Sequence, residues 1–347
     1  MKKRPFLSIV IPAYKAAGVL PRLLDSIFAT RGFSDFEVIV VDDCSPDETA
    51  RVAELYQPKV KVVRLKRNSG PAKARNEGVK KAKGKIVLFL DADVICYPDT
   101  IKRVAERFLK DKDLTALTGV WVRPRKSKDF FPNYKALRDW SYWINERDQR
   151  GYFYLFSTRI AAIKRDVFLR LGGFDERYRR ADIEDIEFTY RIASRYAIIF
   201  DDQIRVKHEF EGFGPVAKKY FRRSFYWSLL FSQRRKFAPV AMTLRETITG
   251  AAAVLSLPLG MGGIFYHPLW WGMAFCFLVN LWGGRKFLRY VWQEEGPIFV
   301  FKSFWTSWIL YFVIYAGAGM ALLSLIIRQF FGQKSAERFN QKISEFV

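Results

Sequence analysis

The 347-residue sequence predicts an α/β domain with a mostly parallel central sheet, followed by an apolar helical region. Short, almost wholly apolar runs alternate with helix-like segments through the first third of the chain. Acidic residues, rather than glycine-rich phosphate loops, stand where those runs end. Two long stretches without a formal charge, 247–284 and 303–327, lie in the C-terminal third.

Taken in order, residues 6–11 read as a strand followed by a helix over 19–28. The same step repeats as 36–41 then 48–55, 60–65 then 72–82, and 86–90 then 100–109. Strands apolar on both faces belong to a sheet that helices cover on both sides, the product of parallel βαβ units. Ligands of such sheets collect beyond the carboxyl ends of the strands. Neither GxxxxGK[ST] nor GxGxxG follows any of these runs, which argues against a P-loop NTPase and a Rossmann dehydrogenase. Instead Asp42 and Asp43 follow the second run, and Asp91 and Asp93 follow the fourth. Carboxylates at strand ends suit a metal ion placed between protein and phosphate.

A membrane span needs ~20 apolar residues. The stretch 247–284 has room for two tight spans turning at Tyr266-His267-Pro268, and 303–327 has room for one. Trp270, Trp271, Trp282, Trp305 and Trp308 fall near the ends of these segments, as in an aromatic belt. A buried helical hairpin of a soluble domain is the alternative. No signal peptide opens the chain: Met1 to Arg4 are followed by a short apolar run that stops at Pro12, so the N-terminal domain is expected in the cytosol. Three spans from that start would place the basic tail, 328–342, outside, against the positive-inside tendency. A re-entrant or interfacial segment would reconcile the two. The expected organisation is a catalytic domain over 1–214, a basic interface segment over 215–246, a membrane region of two to three spans over 247–327 and a basic tail over 328–347. This describes a multi-pass protein of the cell membrane.

The net charge is +23, of which +19 lies before Thr247. Such a surface suits an anionic bilayer or phosphate-bearing substrates as well as nucleic acid. No recognisable nucleic-acid module is present, so a nucleic-acid partner is not expected. Between 215 and 237, Lys218, Lys219, Arg222, Arg223, Arg234, Arg235 and Lys236 occur without an acidic residue. In a helix the first basic cluster stacks at i,i+4 spacing, with Tyr220, Trp227 and Phe231 roughly opposite. That pattern describes a helix lying at a membrane interface, or equally a solvated basic face packed on the domain through its aromatics. Cys44, Cys96 and Cys276 are scattered and form no CxxC pair, which suits a reducing compartment without a disulfide framework or zinc knuckle. Cys44 reads as a small buried thiol in a strand-end turn.

Asp91-Ala92-Asp93 ends the fourth strand, where two carboxylates one residue apart can face a common ligand. Hard cations such as Mg²⁺ and Mn²⁺ take oxygen ligands of this kind and keep positions open for substrate phosphates. Alone, the triplet is also an ordinary turn or helix-capping pattern. In company it says more. Ser8-Ile9-Val10-Ile11-Pro12-Ala13-Tyr14, Val40-Val41-Asp42-Asp43-Cys44-Ser45, Asn68-Ser69-Gly70-Pro71-Ala72-Lys73-Ala74-Arg75-Asn76, Leu90-Asp91-Ala92-Asp93, Gly172-Gly173-Phe174-Asp175-Glu176 and Glu184-Asp185 occur in that order. Over roughly its first two-thirds the chain thereby resembles the family 2 glycosyltransferases, which have the nucleotide-sugar-binding fold called GT-A.

The resemblance implies that Tyr14 lines the base pocket and that Asp43, with Asp42, accepts a hydrogen bond from the base; a uracil edge offers such an N–H. Pro12, Gly70, Asp91 and Ala92 lie in the same motifs and are expected at the donor site. Arg75 is expected beside the diphosphate or orienting Asp91. Asp91 and Asp93, joined by His208, are the expected ligands of Mg²⁺ or Mn²⁺. Asp185 is the expected catalytic base, with Glu184 the choice in a shifted register. Each residue also has a plain structural reading: helix caps for Asp42 and Asp43, a surface cation for Arg75, dipole partners for Glu184 and Asp185, and a satisfied core imidazole for His208.

The expected activity is single, inverting transfer of a sugar from a nucleotide-sugar, a UDP-sugar by this reading, to a membrane or lipid-linked acceptor such as a polyprenyl phosphate, by metal-assisted direct displacement. Lys15 departs from the resemblance, standing where relatives often carry Asn or an acid. Gln233-Arg234-Arg235-Lys236-Phe237 only loosely matches the QxxRW signature of processive polysaccharide synthases. The membrane region is also small for a polymer channel. A polysaccharide-chain transferase, and a non-catalytic nucleotide-sugar-binding membrane scaffold, are the alternatives. A scaffold would keep the donor pocket and need no base.

Overall fold

The computed structural model describes residues 4–123, 125–146, 154–235 and 243–346. The chain forms two compact units, one from 1–126 and 148–210, the other from 127–147 and 211–347. The segment 127–147, inside the 1–214 stretch of the sequence reading, thus belongs with the C-terminal helices.

The first unit opens with β1 (Leu7–Ala13), α1 (Leu20–Phe28), β2 (Phe36–Asp42), α2 (Thr49–Glu54), β3 (Val60–Arg64), α3 (Pro71–Lys81), β4 (Ile86–Leu90), β5 (Val94–Cys96), α4 (Thr100–Lys110) and β6 (Ala116–Val122). The chain then supplies α5 (Phe130–Ser141) to the second unit and returns through β7 (Ile160–Lys164), α6 (Arg165–Arg170), α7 (Glu184–Ala193) and β8 (Ile198–His208). The eight strands form one sheet in the order β3-β2-β1-β4-β7-β6-β8-β5. Neighbours pair in parallel from β3 to β4 and between β6 and β8, whereas β7 runs antiparallel to both β4 and β6. The mostly parallel sheet expected from the sequence is therefore present. The apolar runs form strands because both faces are covered: every residue of β4 is buried, and so is every residue of β1 except Pro12. The helices bury one stripe each. In α1 it is Leu20, Leu23, Leu24 and Ile27, and in α4 it is Ile101, Val104, Ala105 and Phe108, both at i, i+3, i+4, i+7 spacing. Each large apolar side chain so buried contributes about 1.5–3 kcal/mol.

The second unit joins α5 and a π-helical turn, Tyr142–Glu146, to α8 (Phe213–Arg234), α9 (Leu244–Gly263), α10 (Leu269–Glu295), α11 (Pro297–Phe331) and α12 (Gln333–Phe346). Among the described residues, α11 is the one helix long and apolar enough to cross a membrane, and only 22% of its apolar window is buried within the protein. A core helix of a soluble protein would be mostly covered. The stretch 247–284 does form a helix pair turning over 264–268. Its uncharged legs, 247–263 in α9 and 269–284 in α10, hold 17 and 16 residues, short of the ~20 of a full span.

The basic segment is helical as α8, but it is not a free amphipathic rod. Gly317 of α11 lets the α8 backbone approach so closely that a Cβ there would lie 2.3 Å from the Phe221 carbonyl oxygen. Ser224 Oγ donates to the Ile314 carbonyl at 2.6 Å, and Phe225 packs with Ala321 and Ile343. Arg222, expected on the basic face, is buried, because that face turns inward at this level. The sequence 328–347, read as a basic tail, mostly continues as helix: α12 is tied to α11 by Ser324 Oγ and Asn340 Oδ1 at 2.6 Å.

Candidate active site

In the first unit β1 lies between β2 and β4, so strand order reverses at β1 and a crevice opens beyond the strand ends. Parallel register places Ala13 beside Asp42, so the ends of β1 and β2 are level. Pro12 is the next-to-last residue of β1. Tyr14 follows with 45% of its surface exposed, and the Lys15 ammonium lies 5.5 Å from its ring centroid. Lys15 takes a positive φ of 52°, and its backbone N–H donates to Ser45 Oγ at 3.1 Å.

Asp42 and Asp43 are both buried, and neither caps α2, whose N-cap residue is Glu48. Asp42 instead accepts from the Ser45 N–H at 3.2 Å, a turn built by its own side chain. Asp43 accepts from the Ser69 and Gly70 N–H groups at 2.8 and 2.7 Å, which fixes the loop that enters α3. Burial pushes the Asp43 carboxyl up, against those two hydrogen bonds, and the Asp42 charge adds to the rise. A carboxylate has about four acceptor positions, so two remain for a base edge. Gly70 is required here twice over: its φ is +89°, and a Cβ would stand 2.2 Å from the Arg179 carbonyl oxygen. Cys44, read as buried, is exposed. Its φ of 58° turns the side chain outward, with Sγ 3.8 Å from the Lys66 carbonyl.

Arg75 is the hub of the site. Only 3% of it is exposed, and its two terminal nitrogens bind Asp91 Oδ1 at 2.7 Å and Glu184 Oε1 at 3.1 Å. It is no surface cation. Burial disfavours its charge, but the two carboxylates outweigh that and raise its pKa. Beneath it Phe174 lies 5.7 Å from the guanidinium, in a cluster of Phe89, Phe156, Phe168 and Phe188. The hub thus joins the end of β4 to the start of α7. Glu184 is buried, while Asp185, the next residue, is partly exposed in the first turn of α7 and accepts from the Ile186 N–H at 2.8 Å.

On the other side of Ala92, Asp93 faces β8, which carries His208. His208 Nε2 and Asp93 Oδ2 are 3.3 Å apart. Burial would raise the Asp93 carboxyl, but the His208 hydrogen bond and charge, with Arg159 further off, hold it at about 2. Of the three expected metal ligands, two therefore meet and the third, Asp91, is held by Arg75. No group of three His, Cys, Asp or Glu side chains converges among the described residues. The pair still fits a divalent cation. Cis ligands at ~2.1 Å lie ~3.0 Å apart, near the observed 3.3 Å, and because Mg²⁺ takes oxygen ligands the imidazole suits a softer divalent cation such as Mn²⁺ better. Among the described residues His208 Nδ1 is buried without a hydrogen-bond partner, so it is not the fully satisfied core imidazole of the structural reading.

Two groups of the site lay outside the sequence reading. Asn76, quoted there only as part of a motif, donates to the Phe174 carbonyl at 2.9 Å and to Glu176 at 3.0 Å, and accepts from the Phe174 N–H at 2.9 Å. It ties the segment leading towards Glu184 onto α3. Arg159 and Trp121 also stand at the strand ends, the guanidinium 4.6 Å from the indole centroid. Neither falls in a recognisable motif.

A mostly parallel sheet with acidic groups at its strand ends, on either side of the reversal at β1, is a GT-A-like α/β architecture. The mannosyltransferase PcManGT from Pyrobaculum calidifontis, in complex with GDP-Man and Mn²⁺, shares the fold at a TM-score of 0.58 and 22% identity, over 92% of this chain and 88% of that one. The family model described as Glycosyl transferase family 2 matches residues 8–171. A PGL/p-HBAD biosynthesis glycosyltransferase of Mycobacterium bovis is 30% identical over 248 residues, 70% of this chain and 91% of that protein. The succinoglycan biosynthesis protein ExoO of Rhizobium meliloti is 42% identical over 106 residues, 30% of each chain. The chain belongs to glycosyl transferase family 2, a family of enzymes. It spans less than two thirds of the length of several curated relatives it matches, ExoO among them.

Proposed function

We propose that the protein transfers a single sugar from a nucleotide-sugar, a UDP-sugar in the first instance, to a membrane or lipid-linked acceptor, with inversion at the anomeric carbon. The observation that carries this reading is the buried Arg75, which binds Asp91 at the end of β4 and Glu184 at the start of α7, where Asp185 is the next residue. Pro12, Tyr14, Asp43 and Gly70 form the nucleotide side of the crevice, with Asp42 shaping the turn behind it. Asp93 and His208, with the free oxygen of Asp91, would hold Mg²⁺ or Mn²⁺. The cation supplies charge neutralisation for the departing diphosphate. Asp185, at the N-terminus of α7 and beside the Arg75–Glu184 pair, takes the acceptor hydroxyl proton as the hydroxyl attacks; Glu184, committed to Arg75, positions it. The long exposed apolar face of α11 supports a membrane location for the acceptor.

The test is to incubate the purified full chain with Mn²⁺, a panel of UDP- and GDP-sugars and a membrane lipid extract, and to identify the product by mass spectrometry. Asp185→Asn is expected to lower transfer by about 10²–10⁴ while leaving nucleotide binding intact. Undiminished transfer by Asp185→Asn would remove the base assignment. A wild-type protein that binds donor and never turns it over would leave a scaffold instead of an enzyme.

A further inference from the structure

We propose that Arg159 is a phosphate-binding residue of the active site, held over the indole of Trp121 at the DxD turn. This rests on the nucleotide-sugar reading given above and adds the group that grips phosphoryl oxygens.

Three features place it there. β7 pairs antiparallel with β4, and the ladder ends with Leu90 opposite Ile160. Asp91 follows Leu90 and Arg159 precedes Ile160, so the two stand opposite one another just beyond the last rung. Trp121 comes from the end of β6, where it pairs with Val206 of β8, and His208, two residues further along β8, pairs with Val94 next to Asp93. Four strands thus bring Arg159, Trp121, the DxD triplet and His208 to one rim. Second, the guanidinium has an aromatic support and, among the described residues, forms no direct ion pair. It lies 4.6 Å from the centroid of Trp121, which is itself 4% exposed. Among the described residues Arg159 makes no hydrogen bond or ion pair, whereas Arg75 spends its charge on two carboxylates. Third, the chemistry suits the place. A planar guanidinium supported over an aromatic ring, with its donors free, is pre-organised for two oxygens of a phosphate, at little entropic cost.

Phosphoryl oxygens can reach this rim from the donor diphosphate or from a phosphate-bearing acceptor, and binding separates the two. With Mn²⁺ present, UDP, GDP and their nucleosides are titrated calorimetrically into the wild type, Arg159→Met, Arg159→Lys and Trp121→Leu. If the donor diphosphate is the partner, Arg159→Met weakens nucleoside diphosphate binding about tenfold and leaves nucleoside binding unchanged. Arg159→Lys recovers part of the loss, since the charge returns without the fork, and Trp121→Leu shows a smaller loss because the guanidinium is no longer held. If the acceptor phosphate is the partner, diphosphate binding is unchanged and KM for a polyprenyl phosphate rises by a similar factor while KM for donor does not. Unchanged diphosphate binding together with an unchanged acceptor KM overturns the proposal. A wild type that binds neither UDP nor GDP overturns the nucleotide-sugar reading itself. Should Arg159→Met fold poorly, the Arg159→Lys and Trp121→Leu pair carries the same comparison.

Discussion

Each unit of the molecule holds an arginine between two carboxylates, and the two clusters differ in what is left open. In the first unit Arg75 lies between Asp91 and Glu184, and the Asp91 side chain keeps 28% of its surface exposed at the crevice. In the second, Arg138 of α5 binds Glu146 at 2.6 Å and Glu246 at 2.7 Å, and Arg245 binds Glu146 at 2.7 Å. There the side chains of Glu146, Glu246, Arg138 and Arg245 keep 2%, 12%, 17% and 19% of their surface exposed, none of them as much as Asp91. The second cluster is electrically balanced and closed, and it ties α5 and the π-helical turn to the start of α9. A small cavity of about 20 Å³ beside it, lined by Arg138, Glu246, Thr249, Asn280, Phe287 and Phe304 among others, has room for about one water molecule. The first cluster has an open end where a ligand can enter. A buried ion pair adds little net stability, yet removing one partner strands the rest in a poor solvent. Closed clusters should therefore answer mutation with unfolding, and open ones with lost function.

The largest effect is expected at Arg138. Arg138→Met leaves Glu146 and Glu246 without their shared cation, and Arg245 reaches only Glu146, so unfolding of the purified protein should become easier by about 3–5 kcal/mol. Denaturant titration followed by tryptophan fluorescence measures it. A loss under 1 kcal/mol would mean that the cluster is hydrated and the comparison between the units fails. Arg75→Met comes next, at about 2–3 kcal/mol, because Asp91 can rehydrate through the crevice while Glu184 cannot. Its larger signature is functional. Sugar transfer should fall by at least about a hundredfold, since the end of β4 and the start of α7 lose their common anchor. Retained activity with lost stability would reverse the assignment and make Arg75 a purely structural residue.

The two clusters were unequally legible in the sequence. Apart from the three-residue β5, which no apolar run marks, the strands and helices of residues 6–110 were legible to within two residues, because burial on both faces writes continuous apolar runs and one-sided burial writes i, i+3, i+4 stripes. The ends of those strands marked Asp43, Asp91 and Asp93, and the family motifs marked Arg75 and Glu184. What joins Arg75 to Glu184 is a pairing across 109 residues, which no local pattern records. Arg138 and Glu246 are 108 residues apart and lie in no motif, so neither residue could be singled out. β6, β7 and β8 were all left unmarked, and β7 is the instructive case. It is the antiparallel strand that splits the parallel order, and nothing in Ile160–Lys164 tells its direction. The outward turn of Cys44 depends on a positive φ that only the packed loop reveals. In the apolar third, charge-free length marked α11, yet the helix runs on past Lys302 and Arg328, whose long side chains can reach water while their backbone stays helical.

The smallest effect tests how the closed cluster is held. Thr243 caps α9 in a reciprocal capping box: its Oγ1 accepts from the Glu246 N–H at 3.2 Å, and Glu246 Oε2 accepts from the Thr243 N–H at 3.0 Å. The other oxygen of Glu246 is the one that binds Arg138. The cap therefore does two things, satisfying the first turn of α9 and aiming Glu246. Thr243→Ala alone should cost about 1 kcal/mol, the ordinary worth of such a cap. If aiming matters, the cost should shrink in an Arg138→Met background, where Glu246 has no cation to be aimed at, and the double-mutant cycle should show a coupling of about 0.5 kcal/mol or more. Strict additivity would mean that the cap stabilises only the helix end and that the four charges hold their geometry unaided. The corresponding cycle in the first unit pairs Asn76→Ala with Arg75→Met. A coupling there that appears in transfer rate and not in stability would locate the difference between the units in the open end of the Arg75 cluster.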